Sequence, residues 1–255
     1  MACGWKGETA LVTGVSRRVG IGFAIARRLQ EDGAHVFVHG WAAHDAAQPW
    51  GADPGGTAAV ADELGLPFVE ADFADPDAPR RVVEAVVDAV GPIDILIANH
   101  ARSGHGRLGE LTAEEIDAFL HENVRASLLL VKEFAARHDD SRAGGRVVLF
   151  TSGQHLAPMA HAVAYAVSKG ALQQATLTLA DELADRRITV NTVNPGPTDT
   201  GWGLAEQDPA ERMPFGRWAE PEDVARLVAW LCSDEAAWIT GQTIDSEGGF
   251  RRWRD

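Results

Sequence analysis

The chain has 255 residues, 45% of them apolar, and a formal net charge of −14, which is enough apolar content to bury one sizeable core. Acids and bases are mixed along the whole length without a basic cluster, which argues against nucleic-acid or anionic-membrane partners and leaves small molecules. Two cysteines, Cys3 and Cys232, lack disulfide-framework or metal-ligand spacing. No apolar run approaches the roughly 20 residues of a spanning helix and the N-terminus has no signal-peptide pattern, so a reducing, cytoplasmic setting is expected.

Short Val- and Ile-rich runs alternate with stretches of helical periodicity. The first, TALVTG at 9–14, leads into GIGFAIARRLQEDG, a strand followed by a helix. Further strands are expected at HVFVHG (35–40), PFVEAD (67–72), IDILIAN (93–99), GRVVLFTS (145–152), ITVNTVNP (188–195) and QTIDSEGG (242–249). Their continuous apolar character and the helix-length spacers between most of them predict an α/β fold: about seven parallel strands in one doubly wound, Rossmann-type sheet, with helices on both faces. Residues 1–255 read as a single domain. Two loops rich in Gly, Pro and Trp interrupt the rhythm, one after the second strand and one after the sixth, the latter a substrate-loop candidate at about 196–220.

The first chemical signal is LVTGVSRRVGIGFAIA, where an apolar strand enters a glycine-bearing turn and then a helix. Glycines let the backbone approach a pyrophosphate, and a helix start offers unpaired N–H groups and the positive end of a dipole. Gly14, Gly20 and Gly22 are the candidate glycines, with Ser16, Arg17, Arg18 and Ile21 between them as further contacts. Asp72 and Asn99 close the third and fourth strands, at the carboxyl ends where ligands sit in open α/β sheets.

The chain holds one tyrosine beside eight tryptophans and nine phenylalanines. That residue, Tyr165, lies four before Lys169 in AVAYAVSKGAL, so on a helix the two share a face. Ser152 ends the fifth strand and can bring a hydroxyl to the same crevice. A free phenol ionises near ~10, and a nearby cation moves it toward values useful to a general acid/base.

These motifs together resemble a short-chain dehydrogenase/reductase, in the expected order and over nearly the whole chain: TGVSRRVGIG, Asp72, ANHA, ENVRAS, FTSG, YAVSK, NPGPTDT and TGQTIDSEGG. The resemblance implies hydride transfer between a nicotinamide and a ketone or secondary alcohol. It gives Tyr165 the proton transfer, Ser152 the stabilisation of the carbonyl oxygen, and Lys169 both the tuning of the phenol and the nicotinamide ribose. Asn123 helps position a water on the path from the lysine to solvent, or is a capping or kink-filling amide. Asp72 with Phe73 is placed at the adenine, Asn99 in support of the cofactor, and Pro195, Gly196, Thr198 and Thr200 along the nicotinamide amide and pyrophosphate. Five residues separate Gly14 and Gly20, a spacing closer to the enoyl-reductase branch, but YxxxK is the ketone-reducing arrangement of 3-oxoacyl-carrier-protein reductase-like members.

No carboxylate stands at the end of the second strand, VHGW, and Arg17 and Arg18 are available to a 2′-phosphate, so NADP is expected over NAD, unless Asp45 folds back. Trp202, Leu204 and Met213 are candidates for an apolar lid, Met213 and Leu204 equally for core packing. Arg102, His105 and His155 are candidates for polar specificity, and no metal site is expected. Similar proteins are most often tetramers, so a homotetramer or homodimer is expected, Phe250 and Trp253 offering apolar surface. The alternative function is a non-catalytic NAD(P)-sensing protein on the same fold.

Overall fold

The computed structural model describes residues 7–201 and 208–252. Seven parallel strands form one sheet in the order β3-β2-β1-β4-β5-β6-β7. They are β1 (Thr9–Thr13), β2 (His35–Gly40), β3 (Phe68–Glu70), β4 (Ile95–Ala98), β5 (Arg146–Phe150), β6 (Thr189–Asn194) and β7 (Thr243–Asp245). The doubly wound α/β expectation holds. β1 and β4–β6 are buried throughout, whereas the edge strands β3 and β7 are partly exposed; β1, β4 and β5 accordingly read as largely apolar runs, while β6 buries Thr189, Asn191, Thr192 and Asn194 as well.

Alternation along each strand sends side chains to two helical layers. On one face Ala10, Val12, Ile97 and Val148 pack with Phe23, Ile25 and Leu29 of α1 (Ile21–Glu31) and with Val224 and Val228 of α8 (Pro221–Cys232). On the other, Leu11, Leu96 and Leu149 meet α4 (Ala78–Val90), α6 (Ala126–Arg137) and α7 (Val163–Leu183) through Val82, Val86, Leu130, Phe134 and Leu183. Each such fully buried aliphatic side chain contributes about 1.5–3 kcal/mol. Cys232 belongs to the first layer, and burial pushes its thiol up to about 12, so it is an inert packing residue; Cys3 lies outside the described residues.

Strand order reverses between β1 and β4, so the chain leaves the carboxyl ends of these neighbours in opposite directions and opens a crevice there. The segment after β2, expected as a loop, contains a five-residue helix, α2 (Ala42–Ala46), before α3 (Gly56–Leu64). Between α5 (Ala113–Phe119) and α6 the chain makes one π-helical turn, Leu120–Arg125, that carries Asn123. Among the described residues no helix is long and apolar enough to cross a membrane.

Candidate active site

The turn after β1 is shaped by close backbone approach. Gly14 has φ +74°, and a Cβ there would lie 2.8 Å from the His100 Cα and 2.9 Å from Asn99 Nδ2. A Cβ on Gly22 would come within 2.5 Å of the Gly14 carbonyl oxygen. The Asn99 amide donates to the carbonyls of Thr13 (3.0 Å) and Gly14 (3.2 Å) and so fixes the turn from β4. Gly20 precedes α1, which has neither a side-chain cap nor an acidic residue in its first turn; its leading N–H groups therefore face the crevice without a built-in anion.

A groove runs from this turn over the ends of β2 and β3, lined by Gly14, Ser16, Arg17, Gly20, Ile21, Asp72, Phe73, Asn99 and Thr200. Asp45 lines it too, and it also has walls that the sequence reading missed: His39, Trp41, His44 and Trp50. His39 stacks on Phe73 with ring centroids 4.2 Å apart, and its Nε2 donates to the Ala71 carbonyl at 2.9 Å. Burial lowers its pKa to about 4, so it is a neutral ring at physiological pH. His100, which follows Asn99 in ANHA, bridges Thr13 Oγ1 (2.8 Å) and the Glu122 carbonyl (3.1 Å) and ties the π turn to β1. Burial, together with nearby His39 and Lys169, holds His100 well below the usual imidazole range.

Arg17 and Arg18, expected to act together, part company. Arg17 lies over the Trp50 ring at 5.6 Å, and its buried Nε has no hydrogen-bond partner. Arg18 turns away: its guanidinium is bound by Asp53 (3.1 Å), Glu63 (2.5 Å) and the Ala59 carbonyl (3.2 Å). Two carboxylates already satisfy that charge, so Arg18 is corrected from a groove cation to a brace for the α3 segment. Asp45 does fold back, accepting from Ser16 Oγ at 2.5 Å and Trp50 Nε1 at 3.0 Å.

Ile21 and Thr200 also line a second cavity, with Ser152, Tyr165, Gly196, Pro197 and Thr198. Tyr165 stands in the first turn of α7 and Lys169 one turn later, its Nζ 5.8 Å from the phenol ring centroid and donating to the Phe150 carbonyl at 3.1 Å. Burial pushes the Tyr165 phenol up, and a hydrogen bond with Ser152 opposes that rise. The phenol is therefore raised here rather than lowered by its lysine, because both groups have lost water and the ammonium is aimed at a carbonyl. Burial also lowers Lys169 to about 8.

Asn123 is fully buried, and its side chain is a strut. Oδ1 accepts from the Arg102 N–H at 2.6 Å, while Nδ2 donates to the Arg102 carbonyl (3.0 Å) and to Ser168 Oγ (2.9 Å). Ser168 in turn donates to the Tyr165 carbonyl at 2.8 Å. The side chain thereby joins the π turn, the segment after β4 and α7.

At the far side Gly196 has φ +66°, and a Cβ there would meet the Glu247 Cα at 2.8 Å. Thr198 Oγ1 closes the loop by donating to the Pro195 carbonyl (3.1 Å) and contacting that of Gly196 (3.3 Å). His105 and His161 face each other at the cavity mouth, ring centroids 5.5 Å apart; His161 and Met159 were missed, although they stand between Ser152 and Tyr165 in sequence. Arg102 pairs with Glu122 at 2.9 Å, and His155 with Asp245 at 3.0 Å. Met213 is a packing residue, buried against Gly248. Phe250 meets Trp218 edge-on and joins Arg252 and Glu247 beside Ser152. Trp202, Leu204 and Trp253 lie outside the described residues.

The model of the family described as enoyl-(acyl carrier protein) reductase matches residues 14–251. The uncharacterized oxidoreductase YjdA of Bacillus subtilis (strain 168) is 40% identical over 253 residues, 96% of this chain and 97% of that protein. A short-chain dehydrogenase/reductase from Serratia marcescens superposes with a TM-score of 0.82 at 34% identity, covering 96% of this chain and 98% of that one. A blue fluorescent protein from a metagenomic library, solved in complex with NADPH, gives 0.83 at 33% identity over 96% and 98%. With the sheet order, the glycine turn and the Ser152, Tyr165 and Lys169 cluster, these similarities make the chain a member of the short-chain dehydrogenase/reductase family of oxidoreductases.

Proposed function

We propose that this single-domain protein is an NADP(H)-dependent reductase of ketones, or dehydrogenase of the corresponding secondary alcohols. The observation that carries the reading is that Ser152 and Tyr165 line one cavity, with Lys169 one helical turn from the phenol, and that this cavity shares Ile21 and Thr200 with the groove. The groove fits a dinucleotide: a Cβ would fill the cradle at Gly14 and Gly22, α1 begins without a side-chain cap, and Arg17 keeps an unused buried donor. The NADPH bound to the metagenomic relative supports the phosphorylated form.

Gly14, Ser16, Gly20, Ile21 and Gly22 would hold the pyrophosphate side, Asp72 and Phe73 the adenine, and Pro195, Gly196, Thr198 and Thr200 the nicotinamide side. The nicotinamide, when bound, supplies the hydride. Everything else falls to the chain. Tyr165, kept protonated at neutral pH by its burial, donates a proton to the carbonyl oxygen, and Ser152 donates a hydrogen bond that stabilises charge on that oxygen. Lys169, with a pKa of about 8, exchanges protons close to working pH and is placed to restore the phenol. Asn123 keeps α7 and the segment after β4 in register and acts through position.

The test is Tyr165→Phe assayed with NADPH over a panel of ketones. Turnover should fall by orders of magnitude while NADPH affinity stays within about twofold. Undiminished turnover would refute the assignment. Assembly as a homotetramer or homodimer is part of the same reading, and light scattering in solution tests it.

A further inference from the structure

The chamber that holds Ser152 and Tyr165 adjoins another cavity, with which it shares Ser152, Met159, His161, Gly196 and Pro197. Among the described residues no carboxylate lines the chamber itself. The adjoining cavity is walled by two arginines, Arg212 and Arg252, against a single acid, Glu247. The whole chain carries a net charge of −14 and so repels anions on average. A basic wall beside the reacting group is therefore a local construction and no by-product of composition.

Arg252 is held from three sides. Its guanidinium lies on Gly153, the residue after Ser152, where an added Cβ would overlap it. It stands 5.0 Å from the Phe250 ring centroid and pairs with Glu247. The Glu247 side chain is only 11% exposed and also accepts from Asn194 Nδ2 at 2.7 Å, so it is a fixed brace for the arginine. One carboxylate balances one guanidinium and leaves the charge of the other. Among the described residues the buried Nε of Arg252 has no hydrogen-bond partner. Arg212 reaches the same wall because its carbonyl accepts from the Arg251 N–H at 2.9 Å, which ties its turn to the segment that carries Arg252.

A neutral ketone gives these guanidiniums nothing to bind. A carboxylate matches their planar, forked donors, and its bonds to a pre-positioned cation are stronger than those between neutral groups. Because Arg252 rests on the neighbour of Ser152, that carboxylate would stand a few bonds from the carbonyl. It takes no part in the redox step, since hydride and proton both go to the carbonyl group.

We infer that the substrate is an anionic ketone, one that carries a carboxylate near its carbonyl, and that Arg252 and Arg212 are the specificity-determining residues that bind it. The inference rests on the reading of Ser152 and Tyr165 as the place where a carbonyl is reduced.

The test is steady-state kinetics with NADPH on pyruvate, acetoacetate and levulinate, each against its methyl ester, which keeps the ketone and removes the charge. For the acid of best-fitting length, kcat/KM should exceed that of its ester by about tenfold or more, the size of a charge-assisted bond. Arg252→Gln and Arg212→Gln should each lower this acid-to-ester ratio by about threefold or more. Arg217→Gln removes the same charge from the same segment but outside the cavity, where Arg217 pairs with Asp223, and should leave the ratio within about twofold. If Arg252→Gln does not fold, Arg252→Gln combined with Glu247→Gln removes the whole ion pair and is judged by the same ratio. Esters reduced as well as or better than every acid, or a ratio that Arg217→Gln moves as far as the other two, overturn the inference and leave ketone reduction standing. Reduction of neither acids nor esters by protein that binds NADPH removes the reductase reading with it.

Discussion

Gly40→Ala tests the packing at the end of β2 most directly, because the added Cβ has no room. It would lie 2.6 Å from Thr57 Cγ2, 2.7 Å from Thr57 Oγ1 and 3.1 Å from the Val15 carbonyl oxygen. Thr57 is buried and donates to Glu70 Oε1 at 2.7 Å, so it cannot swing away freely. Overpacking of this kind costs about 1–3 kcal/mol. Replacing a strand glycine returns about 0.5–1 kcal/mol of backbone entropy, leaving a net loss of about 0.5–2 kcal/mol. At about 2–4 °C per kcal/mol for a chain near this length, the melting temperature should fall by about 1–8 °C. Thr57→Ala deletes both of the nearest atoms. The double variant should therefore be more stable than the two single losses predict, by about 1–3 kcal/mol in a urea-denaturation cycle. Wild-type stability of Gly40→Ala, or strict additivity, would refute the reasoning. The same clash means that Gly40→Asp, introduced to recruit NAD, should destabilise the protein before it changes selectivity.

Lys169 has a folded pKa of about 8 against 10.5 when free. Between those values the unfolded chain binds the extra proton, so stability should rise from pH 8 toward 10.5, by on the order of 3 kcal/mol from this residue. Lys169→Met should lack that rise in urea titrations, and a parallel wild-type profile would count against the buried ammonium. His39, lowered from 6.5 to about 4, contributes stability that is fully present above pH 6.5 and lost as the pH falls through 4. His39→Gln should flatten that acid limb, and an unchanged limb would show that the ring protonates without cost. Asn123→Ala should lower turnover at least tenfold and speed amide exchange around residues 100–105, because Arg102 loses both of its backbone partners. Normal exchange there would mean that the strut bears no strain.

All seven strands were expected near their observed positions; β1, β4 and β5 stood out as largely apolar runs because a parallel sheet covered on both faces leaves no polar alternation, whereas β6 (TVNTVN) and the edge strand β7 (TID) carry polar side chains. Their ends were less visible. Asp72, Asn99 and Ser152 read as terminal strand residues but lie one or two positions past Glu70, Ala98 and Phe150, where the chain turns into the crevice. The tyrosine, lysine and serine were found by spacing, since helical periodicity fixes which residues share a face. What local spacing could not supply was the pairing of distant charges. Arg18 finds its partners 35 and 45 residues away, so its removal from the groove was invisible in the turn that carries it. Trp50 escaped for a different reason, and Asp45 could be named but not placed: α2 is too short to show a period, and its burial comes from contact with the β1 turn rather than from its own pattern. The histidine in ANHA was seen but could not be placed until its bridge to Glu122 appeared.

The two cavities are not separate rooms, because the Ile21 and Thr200 side chains belong to the walls of both. On the proposed function, a dinucleotide resting on them would finish one flank of the chamber meant for the ketone, so the ketone would gain its full contact surface only afterwards. Association should consequently be sequential, with the ketone showing measurable affinity for the binary complex and little for the bare protein.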